Sequence, residues 1–285
     1  MLKLRIITAL VLLPLALSGL FLLPDLGFEI AIAGIVLICA WEWGTLMGGI
    51  KRRLRTLYGV ISVAIVGVVM ASSLAGQHWI EQDLHPWFDF SLWLALCWWV
   101  VAGVLVACYP KAAGIWQSWP MKALIGWLTL IPWGLSMVAL RSIPSEQSNA
   151  GPLMLLMALM LVWAADTGGY IFGRKFGKTK LMPKVSPGKT VEGMLGGVFL
   201  ATLIVVGGLW YFPAARENLV VYLLFCYLTV IAGVLGDLVE SMLKRDAGVK
   251  DSGKILPGHG GILDRVDSLT AAVPIFALGA LYWAV

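Results

Sequence analysis

Several carboxylates in this sequence stand at spacings suited to chemistry on phosphate. Asp237, Glu240, Ser241 and Lys244 fall at i, i+3, i+4 and i+7, one stripe of a helix. Asp264 and Asp267 of "DRVD" are also three apart, so they share a face while Arg265 turns aside. Asp166 lies further upstream in "WAADTGG". Carboxylate oxygens are the preferred ligands of hard divalent cations, and a set like this could hold one or two of them. For either i, i+3 pair alone, a helix-end salt bridge or a partner for the helix dipole is the competing account.

Two glycine-rich segments accompany these acids. The first, "DTGGYIFGRKFGKTKLMPKVSPGKTVEG" (166–193), carries six basic residues and six glycines. "SPGKT" lacks the full glycine spacing of a P-loop, but the logic is related. Glycines permit close backbone approach, Ser186 and Thr190 offer hydroxyls, and Lys184 and Lys189 offer charge to a polyanion. Ser186 is expected to cap the helix that follows, turning its N-terminus toward an anion. Arg174 and Lys175 fit better as basic residues against anionic headgroups. The second segment, "KRDAGVKDSGKILPGHGGILDRVDS" (244–268), sets His259 among Gly258, Gly260 and Gly261, where the backbone can fold tightly. His259 could assist by hydrogen bonding or by shaping this loop, whereas His78 and His85 are expected to be surface residues.

The elements that position these groups are membrane helices. The chain of 285 residues is 60% hydrophobic and 13% charged, with a mean hydropathy of +0.88, far from the roughly 25% charge of soluble domains. Apolar runs near the roughly 20 residues needed to cross a bilayer recur at 5–23, 28–48, 56–76, 90–108, 121–141, 152–173, 191–212, 219–243 and 266–285. The expected fold is therefore all-α, a polytopic membrane protein of about nine transmembrane helices. The basic N-terminus and its apolar run could be misread as a signal peptide; the run continues to Leu23, and an uncleaved anchor is expected. Cys39, Cys97, Cys108 and Cys226 all fall within spans at scattered spacings, with no disulfide or metal-ligand pattern.

With a cytoplasmic N-terminus and nine crossings, all of the 21 basic residues except Arg141 and Arg216 lie on the cytoplasmic side, as the positive-inside rule expects. The same topology brings Asp166, Asp237, Glu240, Asp264 and Asp267 to the cytoplasmic ends of their spans, with Glu42 also toward an inner end. An ionisable side chain at membrane depth costs about 3 kcal/mol, so five uncompensated carboxylates would cost on the order of 10 kcal/mol. Something cationic must accompany them, either nearby Lys and Arg or a divalent metal, and two pairs plus Asp166 at one depth favour the metal.

The run Ser241-x-x-Lys244-Arg245, then Lys250-Asp251, then "LPGHGGILDRVD" resembles the signature of the bacterial phosphatidate cytidylyltransferase, or CDP-diacylglycerol synthase, family. The likeness extends to "WAADTGGYIFGRKFGKTKLMPKVSPGKTVEG" and "GVLGDLVESMLKR", about the C-terminal 120 residues, and elsewhere is one of hydrophobic character only. It implies an inner-membrane enzyme, its active site at the cytoplasmic face, that transfers CMP from CTP to phosphatidate and releases pyrophosphate. It further implies a Mg2+ requirement and a homodimer, with no nucleic-acid partner. By that similarity Asp237 and Asp264 lead the metal ligands, followed by Asp267, Asp166 and Glu240. Lys184, Ser186, Lys189, Lys244 and Arg245 would hold the triphosphate or the lipid phosphate, with Thr190, Lys250, Asp251 and Arg265 also binding substrate. Asp237, Asp264, Asp267, Lys244, Arg245 and His259 form the expected catalytic set.

Residues 1–150 are expected to form an N-terminal bundle for lipid access or dimer contacts, and 151–285 the catalytic region. Two rival functions remain for the charged residues taken alone. A CTP-dependent kinase or transferase acting on another membrane lipid, such as a polyprenol, would need the same constellation. A transporter would instead place its polar residues near mid-bilayer and tend to repeat between halves; neither pattern is present in the sequence.

Overall fold

The computed structural model describes residues 2–72, 78–80, 83–111, 113–144, 149–256, 258 and 260–283, with side chains from residue 10 onward. The chain is almost wholly helical: α1 (Leu2–Leu22), α2 (Asp25–Leu46), α3 (Arg52–Ser72), α4 (Pro86–Ala107), α5 (Trp119–Arg141), α6 (Ala150–Phe176), α7 (Val191–Tyr211), the short α8 (Pro213–Glu217), α9 (Leu219–Asp246) and α10 (Leu263–Trp283). Two small antiparallel hairpins interrupt the helices: β1 (Trp79–Ile80) with β2 (Asp83–Leu84), and β3 (Lys180–Met182) with β4 (Ser186–Thr190). Among the described residues, eight helices, α2 to α7, α9 and α10, are long and apolar enough to cross a membrane. The first expected span coincides with α1, whose apolar stretch Leu10–Leu22 is described with side chains.

Burial sorts the helices into layers. In α5 and α10, 78% of the most apolar window is buried, against 28% in α3 and 33% in α7, so α5 and α10 form the centre. α10 packs against α9, α5, α4 and α6, while α3 and α7 lie at the periphery. Outward-facing Val60, Val68, Val100, Leu203 and Leu224 are large, apolar and exposed, the surface that lipid covers in a protein lacking enough polar residues to face water.

The closest helix pair is α6 with α7, and glycine makes it possible. A Cβ on Gly168 would come within 2.8 Å of Cα of Gly197, one on Gly193 within 2.8 Å of the Gly169 carbonyl, and one on Gly197 within 2.6 Å of the Ala165 carbonyl. These residues sit in facing small-xxx-small rows, Gly169/Gly173 and Gly193/Gly197, which bring backbones together in lipid. The segment 166–193, whose glycines and lysines suggest a loop after the sixth span, is largely regular: α6 continues helically through Phe176, and β3 and β4 take up most of the stretch between α6 and α7. Glycines that read as loop residues in the sequence are contact residues between two helices.

The N-terminal helices are fastened to one another and, through Lys122, to α9. Trp43 Nε1 donates to the Lys122 carbonyl at 2.9 Å, and Tyr58 Oη donates to the Ala123 carbonyl at 3.0 Å, fastening α2 and α3 to the start of α5. Buried Lys122 in turn pairs with Asp246 at the end of α9 at 2.5 Å. α9 ends at Asp246 and is closed off by Gly248, whose φ of +68° suits glycine; Gly248 N–H bonds to the Arg245 carbonyl and Val249 N–H to the Lys244 carbonyl.

Candidate active site

The five acids singled out in the sequence come together where α6, α9 and α10 meet. Asp166 has Asp267 and Asp237 as electrostatic neighbours, Asp267 has Asp237 and Glu240, and Glu240 has Asp264. Three cations sit among them. Lys189 Nζ reaches Asp237 Oδ2 at 2.7 Å and the Val234 carbonyl at 3.2 Å. Lys244 Nζ bridges Glu240 Oε2 at 3.0 Å and Asp264 Oδ1 at 2.9 Å. Arg265 is a further electrostatic neighbour of Asp166. The helical stripe forms as its spacing predicts: Ser241 Oγ donates to Asp237 Oδ1 at 3.1 Å, one turn before the Glu240 to Lys244 contact.

Asp264 is bonded on both oxygens and, unlike Asp237, takes backbone N–H groups of the loop before α10. Besides Lys244, it accepts from Ser252 N–H at 3.0 Å and Gly261 N–H at 2.8 Å. One carboxylate therefore closes the loop between α9 and α10 on itself, helped by the paired backbones of Leu256 and Gly260, where Gly260 takes a φ of +88°. Glu240, 3% exposed, keeps Oε1 without a hydrogen-bond partner.

A cleft of about 220 Å3 opens beside this cluster, between α6, α7, α9 and β4. Asp166, Lys189, Thr190 and Asp237 supply its polar wall, and Tyr170, Leu181, Met194, Val230 and Val234 its apolar one. The expected cap at Ser186 is corrected: Thr190 Oγ1 accepts from Gly193 N–H at 3.1 Å and caps α7, because β4 runs on for four residues past Ser186. The hairpin is tied to α7 by Glu192, which accepts from Lys178 N–H at 3.0 Å and Thr179 N–H at 3.1 Å. Lys184 and Ser186 lie on this hairpin, and Arg245 Nε reaches its Val185 carbonyl at 3.4 Å. Lys250 and Asp251 are exposed in the loop after α9; His259 lies outside the described residues.

The donor set is chemically suited to Mg2+. It is made of hard oxygens, five carboxylates stand against three cations, and a buried Glu240 oxygen lacks a partner. Among the described residues, no three acidic, His or Cys side chains already form a metal-holding group. Asp237 and Glu240 are engaged by Lys189 and Lys244.

Glu42 has a place that the sequence does not disclose. It is 1% exposed, and its Oε2 accepts from Leu263 N–H at 2.8 Å, the first residue of α10, 221 positions away. A Cβ on Gly261 would stand 2.5 Å from that oxygen, and one on Gly253 would collide with Oε1. The glycines of the signature loop therefore wrap a carboxylate delivered by the N-terminal half. An acid within an apolar span is the one signal of it in the sequence. The reading of His78 as a surface residue is also corrected: it is 2% exposed, 2.9 Å from Glu29.

Residues 3–283 match the cytidylyltransferase family. The chain is 42% identical to a phosphatidate cytidylyltransferase of Pseudomonas aeruginosa over 285 residues, all of this chain and 98% of that protein. It is 39% identical to a phosphatidate cytidylyltransferase of Haemophilus influenzae over 287 aligned residues, 97% of this chain and 98% of that one. A Staphylococcus aureus protein of the same name is 48% identical over 130 residues, 46% of this chain and 50% of its own.

Proposed function

This chain belongs to the cytidylyltransferase family, and we propose that it transfers CMP from CTP to phosphatidate, forming CDP-diacylglycerol and pyrophosphate. The carrying observation is the cleft whose one wall is Asp166, Lys189 and Asp237 and whose other wall is apolar. With a cation held by the two aspartates, that combination would fit an anionic headgroup attached to acyl chains. A phosphatidate oxygen attacks the α-phosphorus of CTP, a new P–O bond forms, the bond to the β-phosphate oxygen breaks, and pyrophosphate departs. Phosphate monoesters are already largely ionised near neutral pH, so no strong general base is needed.

The protein has to bring two polyanions together in line. Lys189, the exposed Lys184 and the half-buried Ser186 of the hairpin bind the lipid phosphate, while Lys244 and Arg245 at the end of α9 face the nucleotide. Asp264 holds Lys244 and the loop carrying Lys250 and Asp251 in place. Asp237, Asp267, Asp166 and Glu240 would hold one or two Mg2+, with Asp264 beside them; when bound, the cation supplies charge neutralisation of the phosphoryl oxygens. The basic residues gathered at this end of the bundle support a cytoplasmic orientation in the bacterial inner membrane. A homodimer remains part of this reading.

Purified protein in detergent, given phosphatidate, CTP labelled at the α-phosphate, and Mg2+, should produce lipid-extractable label that a chelator abolishes. Asp237→Asn should lower that rate by more than about 100-fold while eluting as folded protein. Transfer of the γ-phosphate of CTP to a polyprenol in place of CMP transfer to phosphatidate would replace the substrate assignment.

A further inference from the structure

A second and larger cavity, about 500 Å3, lies between the two halves of the chain. Glu42 and Thr45 of α2 and Arg55 of α3 form one side, and the loop Val249–Ile255 the other. Its volume is that of a pocket for a nucleotide-sized ligand. Lys250 and Lys254 are exposed there and form no ion pair among the described residues. Arg55 is held rigidly: Nε and Nη2 donate to the Trp41 carbonyl at 3.3 and 2.8 Å, and Nη2 donates to Thr45 Oγ1 at 3.1 Å. The buried Ser252 Oγ of the wall has no hydrogen-bond partner and can donate to a phosphate oxygen. Cationic side chains beside an unmatched buried hydroxyl point to an anionic ligand that is part of the working protein.

The position of this cavity gives it a role. Asp237 lines the lipid cleft; one turn on along α9, Glu240 contacts Lys244, Lys244 contacts Asp264, and Asp264 accepts from Ser252 N–H in the wall of the second cavity. The two cavities thus lie at the two ends of this row of residues. Attack at phosphorus requires the entering oxygen and the leaving oxygen to lie on opposite sides of the reacting atom. If the lipid phosphate enters from the α6–α7–α9 cleft, the leaving group must be received on the other side.

We infer that the cavity between α2, α3 and the Val249–Ile255 loop seats the β- and γ-phosphates of the nucleotide and then the pyrophosphate product, with Arg55, Lys250 and Lys254 as their counter-charges. This assignment rests on the proposed CMP transfer and gives the N-terminal half a share in substrate binding. Glu42 fixes the cavity's back wall by joining α2 to the first N–H of α10.

Lys254→Glu is the test, because an exposed lysine without an ion pair can be reversed without unfolding the chain. It should raise KM for CTP and the inhibition constant of pyrophosphate by about tenfold each, and leave KM for phosphatidate within about twofold. Lys254→Ala should shift the same two constants, by less. Unchanged constants for CTP and pyrophosphate, or a shift confined to phosphatidate, would overturn the assignment while leaving CMP transfer intact. Calorimetric titration of Mg2+-pyrophosphate needs no turnover and separates the two readings. Binding to the wild type that weakens in Lys254→Glu supports the cavity even if phosphatidate proves not to be the acceptor; equal binding to both proteins, or none to the wild type, removes it.

Discussion

The two ends of this helical bundle both carry ions, but they handle them differently. At one end Arg141 donates Nε to the Leu20 carbonyl at 3.0 Å, Nη2 to the Leu23 carbonyl and Nη1 to Asp25 at 2.6 Å, and lies over the Phe28 ring at 4.7 Å. His78 meets Glu29 at 2.9 Å and packs against Phe88. At the other end Lys189 and Lys244 serve a larger group of acids, two cavities open among them, and Glu42 and Glu240 each keep a buried oxygen without a partner. Among the described residues these are the only buried carboxylate oxygens so left. Closed ion clusters fasten helices; open ones hold binding capacity in reserve for a ligand.

The contrast breaks first at Asp264. Asp264→Asn keeps the volume but turns an amide NH2 toward one or more of Lys244, Ser252 N–H and Gly261 N–H, all of them donors. The expected loss of CMP transfer exceeds about 100-fold with the protein still folded, measured by lipid-extracted label beside size-exclusion elution. Near-normal turnover would show that the open end tolerates the loss of a charge at its centre, and the distinction between the ends would fail.

Much of this arrangement can be read from the sequence, and the reasons for the exceptions are physical. Depth along apolar runs brings Asp166, Asp237, Glu240, Asp264 and Asp267 to one level, and helical spacing gives the Asp237, Ser241 and Glu240, Lys244 contacts. Spacing does not say what a glycine is for. Gly168 and Gly173 stand where an apolar run gives way to lysines, with nothing to mark them as contacts, but they permit α7 to approach α6. Nor does local sequence reveal a partner 221 residues away, so Glu42 can be recognised as costly in a span without any hint that it meets Leu263. Ser186 and Thr190 are both acceptable caps by type; the strand pairing of Lys180 with Thr190 decides between them. The flanking polar residues of His78 suggest solvent, whereas Glu29 and Phe88, both distant in sequence or around a turn, enclose it.

A smaller effect is expected at the closed end, and of a different kind. Arg141→Met removes donors from two carbonyls and from Asp25, and takes a side chain that is 9% exposed off the Phe28 ring. Stability should fall by about 1–3 kcal/mol, seen as a lower midpoint of thermal unfolding in detergent, while the transfer rate per folded molecule stays at the wild-type value. A drop in that rate at unchanged stability would mean that this end also serves the reaction.

The weakest perturbation asks what the Arg141 cluster consists of. Asp25 has 77% of its side chain exposed, so water and salt screen its attraction to Arg141 despite the 2.6 Å separation. The two carbonyls and the Phe28 ring are unaffected by its charge and hold the guanidinium without it. Asp25→Asn should therefore cost under about 0.5 kcal/mol, and the difference between it and wild type should shrink further as salt is raised. If Asp25→Asn instead costs as much as Arg141→Met, the closed end is held by a Coulomb pair of the same nature as Lys189 with Asp237. The difference between the ends would then lie only in the cavities beside the acidic cluster, not in how each end satisfies its charges.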